Sequence, residues 1–319
     1  MKIGWFSRGK TAIACAAFAL AMWTVLAGGF EGRWNVTEDD GKRISNSWLE
    51  ITRDGDGWKG LFLHRGGHPM AAEVTVQNDT LTVTMIPDEP GGDASRPNQK
   101  QPTLSGKLES GKLVGTGTTQ RGDPFKWTGV PAPDRTMGSD RKVTWGAPVT
   151  LFNGNDLSGW KTIGTRESQW KAVDGILTNQ GTGANIRTVD EFRDFKLHIE
   201  FKIPAKSNSG IYLRGRYETQ VADTHGMEPF SRGVGGIYGH ITPTVNAAKP
   251  AGEWNTVEAT IVGYRVTLVV NGQTTIDGEL LPGITGGALD TNETAPGPIM
   301  LQGDHGAVYY RNIVLTPAN

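Results

Sequence analysis

Residues 208–223 read NSGIYLRGRYETQVAD. The two-residue period of a β-strand sets Ile211, Leu213, Tyr217 and Val221 on one side of this stretch. Tyr212, Arg214, Arg216, Glu218 and Gln220 fall on the other. Alternate residues of a strand lie about 6.7 Å apart, so Arg214 and Glu218 on one face would flank a ligand the size of a sugar ring. A solvated outer face is the plain reading of such a strip. A face that grips a ligand and moves protons is the sharper one.

The same period recurs along most of the 319 residues. In 195–204, FKLHIEFKIP, it places Phe195, Leu197, Ile199, Phe201 and Ile203 together and Lys196, His198, Glu200 and Lys202 opposite. Residues 254–272 read as a hairpin with Val257, Ala259 and Ile261 inward, and 297–317 supply two closing strands. Upstream, 48–64, 73–86 and 103–119 are each two alternating runs around Gly, Asp or Asn turns. With 44 glycines and ten tryptophans, the composition also favours short strands and tight turns. The expectation is an all-β chain with a small antiparallel meander or barrel over 30–130 and a two-sheet jelly roll over 150–319. Residues 131–149, rich in Pro, Gly and charge, read as the linker.

Residues 1–29 stand apart. Lys2, Arg8 and Lys10 precede the uncharged run TAIACAAFALAMWTVLAG at 11–28, and Val25-Leu26-Ala27 ends it with small residues. This order is that of a secretory signal cleaved after Ala27, leaving no stable membrane span. The one cysteine, Cys15, lies inside the run, and Ala12 stands where a lipoprotein signal would place Leu. A mature chain without cysteine fits a bacterial periplasm or exterior reached without disulfides. The net charge of −1 gives no footing for nucleic acid.

Several further residues carry candidate chemistry. In 301–306, LQGDHG, Gln302 and Asp304 share a face and His305 sits where the strand breaks. The Gly-rich stretch 225–240 lacks the strand-to-helix context of a phosphate loop and reads as the wall of a cleft. Trp160, Trp170, Tyr238 and Trp254 could stack on sugar rings, although most tryptophans in such folds are core. GRW at 32–34 matches the opening of lipocalin-like barrels, but a core Trp serves as well. His64 and His68 would suit a metal only on a helix, and the two glycines between them predict a loop.

Residues 150–317 resemble the 3-keto-disaccharide hydrolase domain family, which has a concanavalin-like sandwich and was formerly catalogued as a domain of unknown function. The segments that carry the resemblance are LFNGNDLSGW (151–160), WKAVDGILTNQG (170–181), FRDFKLHIEFKIP (192–204), SNSGIYLRGRYETQVAD (207–223), GGIYGHITPTVNAAKPAGEWNT (235–256), VVNGQ (269–273) and GPIMLQGDHGAVYYRNIVL (297–315). One departure is Thr219, where the family has an apolar residue; it points away from the polar strip. Residues 30–149 match no recognised family.

The resemblance implies cleavage of glycosides whose C3 hydroxyl has first been oxidised to a ketone by a separate dehydrogenase. Such a ketone acidifies the C2 proton. A base could remove it and expel the aglycone from C1, after which water adds; the outcome is hydrolase or lyase chemistry. This needs a base, a donor or cation at the developing enolate and an acid for the leaving group. Glu218, His305, Arg214 and Asp304 are the catalytic candidates, and a divalent cation could replace the arginine. Asn208, Gln220, Asp223, Tyr238, Trp254 and Gln302 are the candidates for holding the oligosaccharide or glucoside. Three rivals stand beside this reading: a carbohydrate-binding module without catalysis, a retaining glycosidase using Glu200 and Glu218 with carboxyl groups about 5 Å apart, and an adhesion protein acting through the N-terminal part.

Overall fold

A computed structural model describes residues 29–86 and 100–319. The proposed export signal therefore lies outside the described residues. Among the described residues no helix is long and apolar enough to cross a membrane.

Eight antiparallel strands close the first barrel in chain order: β1 (Gly32–Asp39), β2 (Ile44–Asp54), β3 (Gly57–Leu63), β4 (Met70–Gln77), β5 (Thr80–Met85), β6 (Thr103–Glu109), β7 (Lys112–Thr118) and β8 (Pro124–Pro131), with β8 pairing back onto β1. Closure removes the exposed edges that a free meander would carry. Trp34, Val36, Leu49, Ile51, Phe62, Val83 and Trp127 fill the interior, as the alternation requires. The Trp34 indole N–H donates to the Phe30 carbonyl at 3.0 Å, a buried donor satisfied within the core.

Thirteen further strands follow: β9 (Val149–Thr150), β10 (Trp160–Thr162), β11 (Trp170–Val173), β12 (Ile176–Asn179), β13 (Ile186–Thr188), β14 (Phe195–Lys202), β15 (Asn208–Leu213), β16 (Tyr217–Ala222), β17 (Asn255–Val262), β18 (Arg265–Val270), β19 (Gln273–Leu280), β20 (Met300–Leu301) and β21 (Val308–Pro317). They form a sheet ordered β10-β13-β20-β15-β16 and a larger one ordered β11-β12-β21-β14-β17-β18-β19, with β9 on β21. The inward residues expected of β14 and β17 are all buried. Trp160 and Trp170 are buried too, so neither is open to a sugar.

The stretch first read as one strand is two. β15 and β16 pair antiparallel, with Leu213 opposite Tyr217, Tyr212 opposite Glu218 and Gly210 opposite Gln220. Residues 214–216 make the turn, and Arg214 (φ 54°) and Gly215 (φ 66°) both take the left-handed conformation that a tight hairpin demands. Arg214 and Arg216 therefore do not line the face with Glu218, which corrects the continuous strip. The connection has an odd number of residues, so inward and outward positions keep their parity across the turn. Thr219 is on the core face as expected, with its hydroxyl buried and without a protein partner.

Barrel and sandwich share buried contacts. Trp48 and Leu63 of the barrel belong to the same apolar cluster as Phe195, Tyr217 and Ile284. The connecting segment is held as well: Arg135 is buried and bonds to Glu293 Oε1 at 2.5 Å, and the Ser139 hydroxyl accepts the Tyr264 N–H.

Candidate functional site

The outer face of the smaller sheet carries the candidate site. Three strands build it side by side. β20 brings Met300 opposite Tyr212, and the Gln302 N–H donates to the Gly210 carbonyl just beyond it. Met300, Tyr212 and Glu218 thus form one row, and Gln302, Gly210 and Gln220 the next. Glycine is required in the second row, because a Cβ at Gly210 would collide with the Glu218 carboxyl that leans across it.

Glu218 is 4% exposed. Its Oε2 lies 2.8 Å from the Tyr212 hydroxyl, which also lies 2.8 Å from the Gly286 carbonyl. Burial pushes the Glu218 carboxyl up to about 8; the Tyr212 hydrogen bond opposes this and the negative charge of Asp304 adds to it. Tyr212 itself is raised well above its ordinary value, first by burial and then by Glu218. The loop 223–254 lies along the same strand: the Tyr238 N–H donates to the Glu218 carbonyl at 2.9 Å, and burial and Glu218 raise the Tyr238 phenol.

Asp304 and His305 lie in the bend that follows β20, with His305 Nδ1 2.7 Å from Asp304 Oδ1. Burial pushes Asp304 up, but the His305 hydrogen bond and charge reverse this and leave it below its ordinary value. His305 is raised, chiefly by its hydrogen bond to Asp304. Half-exposed, the pair is the solvent side of the site, while Glu218 is the buried side. Arg166 lies 3.9 Å from Asp304.

The other candidates divide. Asn208 and Gln302 are on the Glu218 face, and Asn208 Oδ1 and Gln302 Oε1 are buried without a protein hydrogen-bond partner. Each therefore keeps an unused acceptor beneath the surface of the site. Gln220 shares the face, its Oε1 accepting the Val221 N–H. Asp223 accepts the Lys206 N–H and ties a turn. Trp254 belongs elsewhere: Lys202 and Arg311 stack on its ring, and Arg311 bonds to Glu200 on the larger sheet.

Arg214 donates to Asp194 Oδ1 at 2.9 Å and to the Arg193 carbonyl. Arg216 forks onto Asp290 and reaches the Ala295 and Pro296 carbonyls. Both arginines are anchors of the hairpin tip, because a buried guanidinium takes the nearest carboxylate and carbonyls. The retaining pair is not assembled either: Glu200 sits in β14 of the larger sheet, held by Arg311 and Asn312. Among the described residues no group of three or more His, Cys, Asp or Glu gathers as a metal site.

Sequence reasoning missed two features. Tyr212 was placed on the correct face without a role, and its pairing with Glu218 depends on the hairpin. In the barrel, Glu38 is buried and receives the Ser47 hydroxyl at 2.7 Å, His64 Nδ1 at 3.0 Å and Arg65 Nε at 3.2 Å. His64 is in the β3–β4 connection, a loop as expected, but its partner lies on β1.

The profile of the family described as "3-keto-alpha-glucoside-1,2-lyase-like domain" matches residues 147–316. A Bacteroides thetaiotaomicron protein described as a 3-keto-disaccharide hydrolase is 27% identical over 163 residues, 39% of this chain and 55% of that protein. The chain thus spans about half the length of that curated relative. A solved Parabacteroides distasonis structure, provisionally described as a glycosyl hydrolase, is 30% identical, covers 55% of this chain and 90% of its own, and has a TM-score of 0.47. A second from the same organism is 22% identical, covers 54% and 94%, and has a TM-score of 0.46.

Proposed function

Because this chain belongs to the 3-keto-alpha-glucoside-1,2-lyase-like domain family through residues 147–316, we propose that it cleaves the glycosidic bond of 3-keto glucosides with Glu218 as general base and His305 as general acid. The observation that carries this reading is the buried Glu218 carboxyl, pushed up to about 8 by burial and by the charge of Asp304, the partner of His305. A base of that strength suits a carbon acid better than an ordinary carboxylate does.

Glu218, once ionised, takes the C2 proton, and the electron pair of that C–H bond becomes the enolate of the C3 ketone. The enolate then re-forms the ketone, makes the C1–C2 double bond and expels the C1 oxygen, which takes a proton from His305. Asp304 keeps that imidazolium charged and oriented. Addition of water at C1, with return of a proton to C2, completes hydrolysis; release before that step gives the lyase product. Asn208 and Gln302, with their unpartnered acceptors, would receive sugar hydroxyls.

Purified protein incubated with paired native and 3-keto glucosides, with and without chelator, tests the substrate class. Cleavage of the 3-keto member alone is expected; equal cleavage of both, or of neither, defeats the proposal. The acid role has its own signature. His305→Asn lowers turnover of a 3-keto disaccharide by about a hundredfold and lowers that of a 3-keto nitrophenyl glucoside far less, since a nitrophenolate leaves without a proton. Equal losses on both substrates would remove His305 from that role.

A further inference from the structure

Tyr212 has one hydroxyl proton and two acceptors, Glu218 Oε2 and the Gly286 carbonyl, each at 2.8 Å. A carbonyl can only accept. When Glu218 is protonated, its O–H donates to the Tyr212 oxygen and Tyr212 donates onward to Gly286, so all three groups are satisfied. When Glu218 is ionised, Tyr212 must turn its proton to the carboxylate and Gly286 loses its donor. Gly286 therefore stabilises the acid form of Glu218 through the phenol.

The position of that carbonyl is set from the barrel. Gly286 is packed so closely on the β3–β4 connection that a Cβ there would collide with the carbonyl oxygens of Gly66 and Gly67. Gly239 is packed likewise on His68. His240, neutral because burial lowers it to about 4, donates Nε2–H to the Ile284 carbonyl at 3.0 Å and meets the Trp48 ring edge-on. The Trp48 indole in turn presses on Gly283. Thr285, between these contacts, accepts the Glu218 N–H and donates to the Arg216 carbonyl. The strap 282–293 is thus clamped between barrel and hairpin.

We propose that the N-terminal barrel is a positioning element for Glu218: its loop 64–69 fixes the Gly286 carbonyl, which acts through Tyr212 to favour the acid form of the carboxyl over the ionised one. This rests on Glu218 being the proton-transfer group. The other ionisable groups that act on Glu218 or its partners are Asp304 after β20, Tyr238 from the loop and Tyr310 from β21, with Arg232 acting on Tyr238 and Arg166 and His305 on Asp304. Among the described residues none of them hydrogen-bonds to Gly286, whose carbonyl is reached by Tyr212, so the relay can be perturbed alone.

The test is an infrared titration of the protonated carboxyl band in the full chain, the band being assigned by its loss in Glu218→Gln. Gly286→Ala wedges the strap off the barrel loop and should move the midpoint down by about half a unit to one unit, the worth of one neutral hydrogen bond. Trp48→Phe loosens the strap from the barrel side and should move it the same way. Tyr212→Phe should move it up, because the carboxylate loses its donor. In that background Gly286→Ala should have no further effect. Midpoints unmoved in both Gly286→Ala and Trp48→Phe, or a shift of equal size without the phenol, overturn the proposal. If the midpoints move as stated but 3-keto glucosides are not cleaved, the relay stands and the functional reading falls.

Discussion

Glu218→Gln lowers turnover of a 3-keto glucoside by about a hundredfold to ten-thousandfold, and the same variant is more stable than the wild type at pH 8. Both results come from one cause. The native carboxyl titrates at about 8 against 4.5 for a free one. Between those values the native state holds a proton that the unfolded chain has released, so stability falls as pH rises through this window. Gln carries no such liability and keeps an oxygen for the Tyr212 hydroxyl. The stability difference should be absent below pH 4.5, grow up to about pH 8 and then level off. Denaturant melts at four pH values, beside the turnover assay, check it. A variant that loses activity and is destabilised equally at every pH would show Glu218 to be a structural group.

Asp194→Ala is expected to cost about 3–5 kcal/mol of stability. Asp194 is buried, receives Arg214 at 2.9 Å and the Gly263 N–H at 3.0 Å, and also pairs with Arg141. Removing it strands the Arg214 guanidinium, itself 3% exposed, at a turn residue held in a left-handed conformation. Chemical denaturation reads the loss directly. Under conditions where the variant is folded, its activity on 3-keto substrates should stay within a few-fold of the wild type. A large loss of turnover with unchanged stability would return Arg214 to the catalytic list.

The parity of β15 and β16 was legible in the sequence, although their pairing was not. An Arg-Gly turn carries a weaker hairpin signal than Asn-Gly, because Arg enters the left-handed region only where something holds it. Here that is Asp194, fourteen residues before the hairpin begins and silent as a local pattern. The odd-numbered turn then preserved each residue's face, which is why Glu218 and Gln220 were placed correctly while Arg214 and Arg216 were not. Trp254 was misplaced for a related reason: an aromatic beside a strand shows no sign of which sheet it will cover. The strap 282–293 has no period at all, and its part follows only from the packing of barrel against hairpin. Asp304 and His305 were readable because their partner is the adjacent residue.

Trp48 and Leu63 count in the sandwich's apolar cluster although they are barrel residues. An ancestral gene fusion that merely tethered two modules would have left each with its own closed interior. Here, swapping the barrel for an unrelated one would open a hole where the indole sits, so the two halves are constrained to diverge together. Substitutions at Trp48 should be matched across homologues by changes at Gly283 and His240, the positions it presses on.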